Sequence, residues 1–511
     1  MELILDIKQL GPVKDSRIVW RPLTVFIGPN NTGKTYTAYL IYGILTAVPV
    51  SCKLELKKIK TLFSNKKIRL NFESVKKKWI EVWQKGIKKY LISDFWEENF
   101  VIKNAPIVIE KIELKPEIVN EVTFEGSLEI TGPFVEDEEP TIFDFFWDFI
   151  GKLEYKASLV KEKQSLYVSI LKQEEHFFKD NLPDNIEEEK EIEYRGFHHS
   201  FCKAFATLLG LPPQSFIIPA ERTAFFFYKE WFIIKDKLGE ILTRWQLLKL
   251  QKKSKKDQSI NNKRTELEEM LYSVVNEFRF PKIYEDFLDF LLLIEKAEPT
   301  KTYEKVITLL EEKLLRGKIL IQSENFWFHY GEGAVEISGA SSCVKALLLL
   351  EKFLRIAKKR AFLVIEEPEL HLYPESQVIL AIALAMAVNL GLRVLLTTHS
   401  SYILDTFNFL AWSYRIREKI KEIGLSSLEE RFKNILKTPP FEVPEEALLD
   451  PSRFSAYFFR TDGQVEDIRK IPKDVPEVDI DWSTFSQVSE ALWEKLSLLG
   501  ELQDEIIKKE Q

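Results

Sequence analysis

Cysteine and methionine are scarce, three of each in 511 residues. Cys52, Cys202 and Cys343 are odd in number and far apart, which excludes a disulfide framework. With no apolar leader over Met1–Leu10, they lead to the expectation of a reducing, cytoplasmic setting. The same shortage beside abundant Lys and Glu is compatible with a thermophilic source. Long hydrophobic runs are missing too. Residues 378–396 come nearest, but only the eleven residues Val378–Val388 are uninterrupted, and Asn389, Gly391 and Arg393 break the rest. A bilayer span needs ~20 residues, so the segment reads as a buried helix followed by a buried strand and no membrane partner is expected. Positive charge is not in excess. A net charge of −7 argues against a surface wholly adapted to nucleic acid, while local basic patches stay open. There is no C-x-x-C hinge, no internal repeat and no extended heptad run.

What remains is a globular composition, 45% hydrophobic and 30% charged, and a length that suggests about three units at ~150 residues each. Leu23–Ile27 is short, apolar and β-rich, and feeds a glycine-containing loop and a helix over Lys34–Thr46. The composition then shifts. Residues 51–90 hold 13 Lys/Arg against 3 Glu, interleaved with Phe63, Phe72, Trp79, Trp83 and Tyr90, a pattern that suits contacts to phosphate backbones and stacked bases and equally a solvated face or one paired with acidic residues. Residues 91–150 reverse the sign, with 15 acidic residues against 3 Lys. Ile107–Ile130 alternates as two or three strands would. A strand at Ser215–Pro219 leads into Ala220-Glu221-Arg222, and a mainly helical stretch with the basic loop Lys252–Arg264 follows. Strand-like segments around the turn Gly331-Glu332-Gly333 suggest a hairpin. Then come a helix (Val344–Lys359), a strand (Phe362–Ile365), a long helix from Pro374 and a strand (Arg393–Thr397), an alternation that implies a parallel sheet. Near the C-terminus, Asp462-Gly463 is a favoured hairpin turn pair. Asp479-Ile480-Asp481 is read as a helix-start cap, and Phe485–Leu499 has the spacing of a helix.

Four elements carry chemistry. Gly28-Pro29-Asn30-Asn31-Thr32-Gly33-Lys34-Thr35 satisfies G-x-x-x-x-G-K-[ST] in full. Such a loop turns its amides inward around phosphate oxygens at a helix N-terminus; the lysine reaches the β- and γ-phosphates and the hydroxyl takes a Mg²⁺ position. Phe362-Leu-Val-Ile-Glu366-Glu367-Pro368 delivers two carboxylates at the end of a buried strand, Glu366 for Mg²⁺ and Glu367 to polarise a water. Alone, that pattern is also a strand end with solvated acids. His399, just past the strand ending at Thr398, can donate to a γ-phosphate; alone, it is equally a capping or exposed histidine. Ser341-Ser342-Cys343 opens a helix, where Ser342 is either an N-cap or, with Ser341, an anion-facing hydroxyl. His198-His199 with Cys202 lacks further ligands for a metal.

Leu23–Thr35, Pro219-Ala-Glu-Arg222, Ala340-Ser-Ser-Cys343, Glu366-Glu-Pro-Glu-Leu-His-Leu-Tyr-Pro374 and Thr397-Thr-His-Ser400, in this order, resemble the motifs of the RecF, SMC and OLD branch of ABC-type ATPases, the AAA_15 type. The resemblance covers roughly residues 1–48, 216–222 and 331–404 and implies an α/β P-loop head with a mainly parallel sheet, an N-terminal antiparallel β element and large, mostly helical insertions. With the composition shifts, the chain then divides into a head of residues 1–50, 215–224 and 316–410, a mixed α/β insertion lobe at 51–214, a helical insertion at 225–315 and a C-terminal helical and hairpin region at 411–511; the motifs do not cover the insertions and tail. The resemblance also implies ATP with Mg²⁺ and two heads closed around two nucleotides. Gly28, Asn30, Asn31, Thr32, Gly33, Lys34 and Thr35 would hold one nucleotide together with Ser341 and Ser342 of the other head; Thr35 and Glu366 would hold the metal; Glu367 and His399 would act in hydrolysis. The resemblance gives Arg222 no role. Cys343 stands where the family has glycine, or, in an alternative register, Ser338-Gly339 supplies it further from the Glu366 strand than is usual; Glu366 stands where Asp is commoner. After Ser400 there is no strand ending in Glu-Gly, so a Toprim nuclease is not evident. The expectation is an ATP-driven switch in nucleic-acid maintenance or anti-phage defence, acting on nucleic acid or a separate effector such as a nuclease. The alternative is a weakly hydrolysing, ATP-dependent oligomeric scaffold for such an effector.

Overall fold

A computed structural model describes residues 2–46, 62, 65–89, 107–132, 148–176, 195–223, 286–287, 290–291, 293–294, 297–322, 325–424, 426–470 and 479–480. The chain opens with the antiparallel pair β1 (Glu2–Leu10) and β2 (Val13–Trp20), then β3 (Leu23–Ile27) and helix α1 (Lys34–Thr46). Next come β4 (Lys67–Asn71), α2 (Phe72–Lys89), β5 (Ile107–Lys115), β6 (Glu121–Gly132), β7 (Asp148–Glu162), β8 (Ser165–His176) and α3 (Arg195–Leu208). β9 (Ser215–Ile218) runs into a 3₁₀ turn, Ala220–Thr223. Helix α4 (Glu304–Leu309) continues as a π-helical turn to Leu315 and precedes the meander β10 (Lys318–Gln322), β11 (Asn325–Tyr330) and β12 (Gly333–Glu336). The rest alternates: α5 (Ser342–Ile356), β13 (Phe362–Glu366), α6 (Pro374–Asn389), β14 (Arg393–Thr398), α7 (Ser401–Ile423), α8 (Ser426–Leu436), β15 (Phe454–Phe459) and β16 (Val465–Asp467).

The central sheet has the order β16-β15-β3-β14-β13-β9. Its five strands from β15 to β9 are parallel and β16 closes one edge antiparallel. Every residue of β3, β13, β14 and β15 is buried, as expected of strands covered on both faces by crossover helices. Phe362–Ile365 alone are 0–2% exposed, and side chains of this size contribute roughly 1.5–3 kcal/mol each when fully buried. α6 and β14 are the buried helix and strand expected from residues 378–396. Among the described residues no helix is long and apolar enough to cross a membrane. This mainly parallel sheet, flanked by helices and antiparallel sheets, is the mixed α/β fold expected from the sequence.

The structure departs from the sequence reading in several places. β5 does not stay with its neighbours in sequence but pairs with β1, so a strand from residues 51–214 completes the antiparallel sheet β2-β1-β5. Asp462-Gly463 does turn a hairpin, and its first strand, β15, is also a full member of the central sheet, register-paired to β3 from Phe454↔Leu23 to Phe458↔Ile27. Asp479–Ile480 pairs antiparallel with Arg469–Lys470, while Asp481 and the helix start expected after it lie outside the described residues. In α2 the apolar residues Val75, Trp79, Trp83 and Ile87 recur every fourth position, and Phe72, Trp79 and Trp83 are at most 1% exposed. Trp79 stacks on Trp83, and Phe72 and Trp79 both pack at a tilt against Phe205 of α3. They are core, which removes them as a base-stacking surface. Phe63, Tyr90, Lys252–Arg264, the side chains of His198 and His199, and Phe485–Leu499 lie outside the described residues.

Candidate active site

Because β3, β14, β13 and β9 run parallel, their C-terminal ends share one edge of the sheet, and each ends in one of the sequence motifs. The loop after β3 closes tightly. Gly28 has φ +143°, and a Cβ there would lie 2.4 Å from the carbonyl oxygen of Phe459 in β15. Gly33 has φ +95°, and its Cβ would lie 2.6 Å from Val13. Both positions demand glycine. Thr32 Oγ1 donates to the Pro29 carbonyl (2.8 Å), and the Thr37 amide donates to Gly33 O (2.9 Å), starting α1. The Lys34 ammonium lies under the loop, 2.9 Å from Gly28 O and 2.7 Å from Pro29 O.

Glu366 closes β13, almost fully buried, with Oε2 accepting from Tyr39 Oη of α1 at 2.6 Å and the carboxyl also bonded to Thr35. Burial pushes this carboxyl above the usual carboxylate range, against the pull of Tyr39 and Thr35. The Thr35 hydroxyl, which lines the cavity past the loop, thus meets the Glu366 carboxyl, which is buried behind that lining, and both are hard oxygen donors. Among the described residues no three His, Cys, Asp or Glu form a closed metal cluster. The Thr35 hydroxyl and the Glu366 carboxyl are oxygen donors of the kind that fit Mg²⁺, which takes one or two protein oxygens and completes its shell from phosphate and water.

Glu367 follows in a left-handed turn, φ +41°, a conformation that disfavours non-glycine residues. Its amide donates to Thr397 O at 2.9 Å. Its Oε1 lies 3.6 Å from His399 Nε2, and both side chains are about one-third exposed (32% and 34%). The His399 ring beside it holds the Glu367 carboxyl below the usual range, with Lys34 and Arg222 assisting and burial opposing. Glu367 is thus a carboxylate near neutral pH, as an acceptor of a water proton must be. Asn30, Asn31, Thr32, Gly33, Lys34, Thr35, Glu367 and His399 line one cavity of about 710 Å³ together with Pro12, Tyr36 and Thr397.

Two residues at this edge acquire contacts that their sequence positions did not announce. Glu369 Oε1 accepts from both Thr398 Oγ1 and the His399 amide at 2.7 Å, and its buried Oε2 has no hydrogen-bond partner among the described residues. Arg222, 1% exposed, donates to the backbone carbonyls of Glu366 (2.9 Å) and Glu367 (3.0 Å) and, at 3.3 Å, of Ala346 in α5. The recurrence of acid two residues past Glu367, and an arginine closing a strand–turn unit, were the available signals. Neither specifies a backbone partner.

Ser341 and Ser342 are not among the cavity's lining residues. Both are exposed at the start of α5, and Ser341, rather than Ser342, is the N-cap, accepting from the Val344 amide at 3.3 Å. Cys343, in the glycine's expected place, is half-buried and packs against the hydrophobic core.

Burial lowers the Lys34 ammonium from 10.5 to about 8, against the pull of Glu367, Glu369 and Glu366. A phosphate ligand binds the charged form and raises that value again. Below pH 8 the proton is already present; above it, binding must include proton uptake, and affinity falls. The Kd for ATP measured by calorimetry is expected to rise roughly tenfold between about pH 8 and pH 9.5, as one coupled proton requires. A flat profile over that range contradicts it.

No curated protein matches the chain. Solved structures similar to it include the Smc head domain with an extended coiled coil bound to the C-terminal domain of ScpA from Pyrococcus furiosus, at 13% identity and TM-score 0.28. The SmcHead bound to the C-winged helix domain of ScpA (11%, 0.31) and the SMC head domain from Thermotoga maritima (12%, 0.25) are also similar. Each alignment covers 79% of this chain and 90% of the other. The profile of AAA_15, AAA ATPase domain, matches residues 4–404, most of the chain. The chain belongs to this AAA_15 family and is an ATPase.

Proposed function

We propose that the chain is a Mg-ATP-driven switch whose two heads close around two nucleotides. The observation that carries this reading is the convergence of Lys34, Glu367 and His399 on one cavity at the edge of the parallel sheet. Gly28–Thr35 cradle the triphosphate, and Lys34 bridges its outer phosphates. Thr35 and Glu366 would hold Mg²⁺, which would supply neutralisation of phosphate charge. Glu367 orients and deprotonates the attacking water, and His399 donates to the γ-phosphate. Ser341 and Ser342 lie outside this cavity and exposed at a helix N-terminus, which suits hydroxyls that serve the nucleotide of a second copy. The head comprises residues 1–50, 215–224 and 316–410, together with β5, β15 and β16, which join its sheets; the rest of 51–214 and residues 225–315 are the lobes it moves. Phosphate release from ATP by the full chain, with Mg²⁺ and then with chelator, tests the chemistry. Release that persists undiminished after chelation contradicts it.

The setting we propose is nucleic-acid maintenance or anti-phage defence with a separate effector. The support is limited to lysines: Lys77 and Lys78 are exposed on α2, and Lys76 is half-buried beside Glu73. With Trp79 and Trp83 in the core, α2 would meet phosphates and not stacked bases. Neutralising lysines 76–78 is expected to weaken duplex DNA binding and to lower the salt slope by about one for each phosphate left without its cation. Gel-shift affinity indifferent to salt and to the substitution removes α2 from consideration. Running the phosphate-release assay with and without DNA and RNA identifies which nucleic acid, if either, acts on the switch.

A further inference from the structure

We infer that Arg222 is a positioning residue: its buried guanidinium braces the backbone of Glu367 against β9 and α5 and so sets where the hydrolytic carboxylate points. This rests on the reading of Glu367 given above and adds a residue to which the family resemblance assigns no role.

The guanidinium is 1% exposed. Its partners are main-chain carbonyls of three segments: Pro219 at the end of β9 (3.4 Å), Glu366 and Glu367 at the end of β13 (2.9 and 3.0 Å), and Ala346 in α5 (3.3 Å). A planar fork with five N–H donors can span carbonyls that diverge in this way, whereas the point charge of a lysine cannot. The two shortest bonds go to the two acids. Glu367 needs such a hold. Its φ of +41° is unfavourable for a side chain with a Cβ, and a conformation of this kind persists only where the surroundings over-determine it. The Glu367 amide is fixed from β14 by Thr397 O, and its carbonyl is fixed from the opposite side by Arg222 and by the Leu370 amide (3.1 Å). Rotation of that peptide would swing the carboxylate away from His399 Nε2, now 3.6 Å distant. Arg222 is not among the residues that line the cavity, so its effect on the reaction runs through Glu367.

The test is steady-state ATP turnover by Arg222→Lys and Arg222→Gln in the full chain, each repeated in a Glu367→Gln background. A misplaced catalytic group costs up to ~10²-fold, so kcat is expected to fall about ten- to a hundredfold while KM for ATP changes little. In the Glu367→Gln background the same substitutions are expected to leave the residual rate unchanged, because the group they act through is gone. A general packing defect would instead lower the rate by the same factor in both backgrounds. Where a substituted chain is poorly folded by thermal melt, Arg222→Ala with added guanidinium ion is the second measurement, and recovery of kcat at constant melting temperature is expected. Wild-type kcat in Arg222→Lys, equal factors in both backgrounds, or no rescue by guanidinium overturns the inference. If Glu367→Gln alone retains wild-type turnover, the failure lies in the assignment of Glu367 and not in the brace.

Discussion

Glu367→Gln is expected to bind Mg-ATP like the wild type and to hydrolyse it at least ~10²-fold more slowly, the scale of a lost general base. The side chain keeps its volume and can still meet the ring of His399, which lies 3.6 Å from the carboxylate oxygen. What it loses is basicity. The wild-type carboxyl is held below its usual range, chiefly by the His399 ring beside it, so it is charged at neutral pH and able to accept a proton. The amide cannot accept one. Lys34 and the loop amides are untouched, so the substitution separates chemistry from binding. In the two-head reading it also prolongs the closed state, and the ATP-bound variant is expected to run as a dimer in light scattering. Single-turnover phosphate release reads the rate. A rate equal to wild type moves catalysis to another group.

The second large effect is on binding itself. Lys34→Ala removes a buried ammonium that lies 2.9 Å and 2.7 Å from the Gly28 and Pro29 carbonyls at the floor of the loop. A bound triphosphate would replace those partners with its own anionic oxygens, and charge-assisted hydrogen bonds contribute roughly 1.5–3 kcal/mol each. Two such bonds correspond to about 10²–10⁴-fold in affinity. Calorimetric titration of the variant with Mg-ATP is expected to give no measurable heat at concentrations that saturate the wild type, with melting temperature in the absence of nucleotide little changed. Unaltered affinity contradicts the role of the loop.

How much of this was legible in the sequence depended on how local the determinant was. The P-loop, α1 from Lys34 to Thr46, β3, and the order of β13, α6 and β14 follow from short-range patterns: glycines where φ must be positive, and apolar runs of strand length bounded by turns. The convergence of Lys34, Glu367 and His399 was inferable because parallel strands deliver their C-terminal ends to one edge. Long-range pairings left little trace. Nothing in Ile107–Lys115 says that its partner is β1, and nothing in Phe454–Phe459 says that it lies beside β3. α2 misled for a different reason. Lysines between aromatics suit both a nucleic-acid face and an amphipathic helix, and only the four-residue recurrence of Trp79, Trp83 and Ile87 separates the two. Arg222 and Glu369 stayed opaque because their partners are main-chain groups and one hydroxyl, supplied by residues whose identity barely constrains the contact.

Four strand ends build one site, and a structure of Glu367→Gln grown with Mg-ATP addresses that claim most directly. The triphosphate is expected in the cavity between the loop and Glu367, its outer phosphates within hydrogen-bond reach of Lys34 Nζ and its γ-phosphate facing His399. Nucleotide bound elsewhere, or bound here with Lys34 still turned to Gly28 and Pro29 and away from the phosphates, would contradict it.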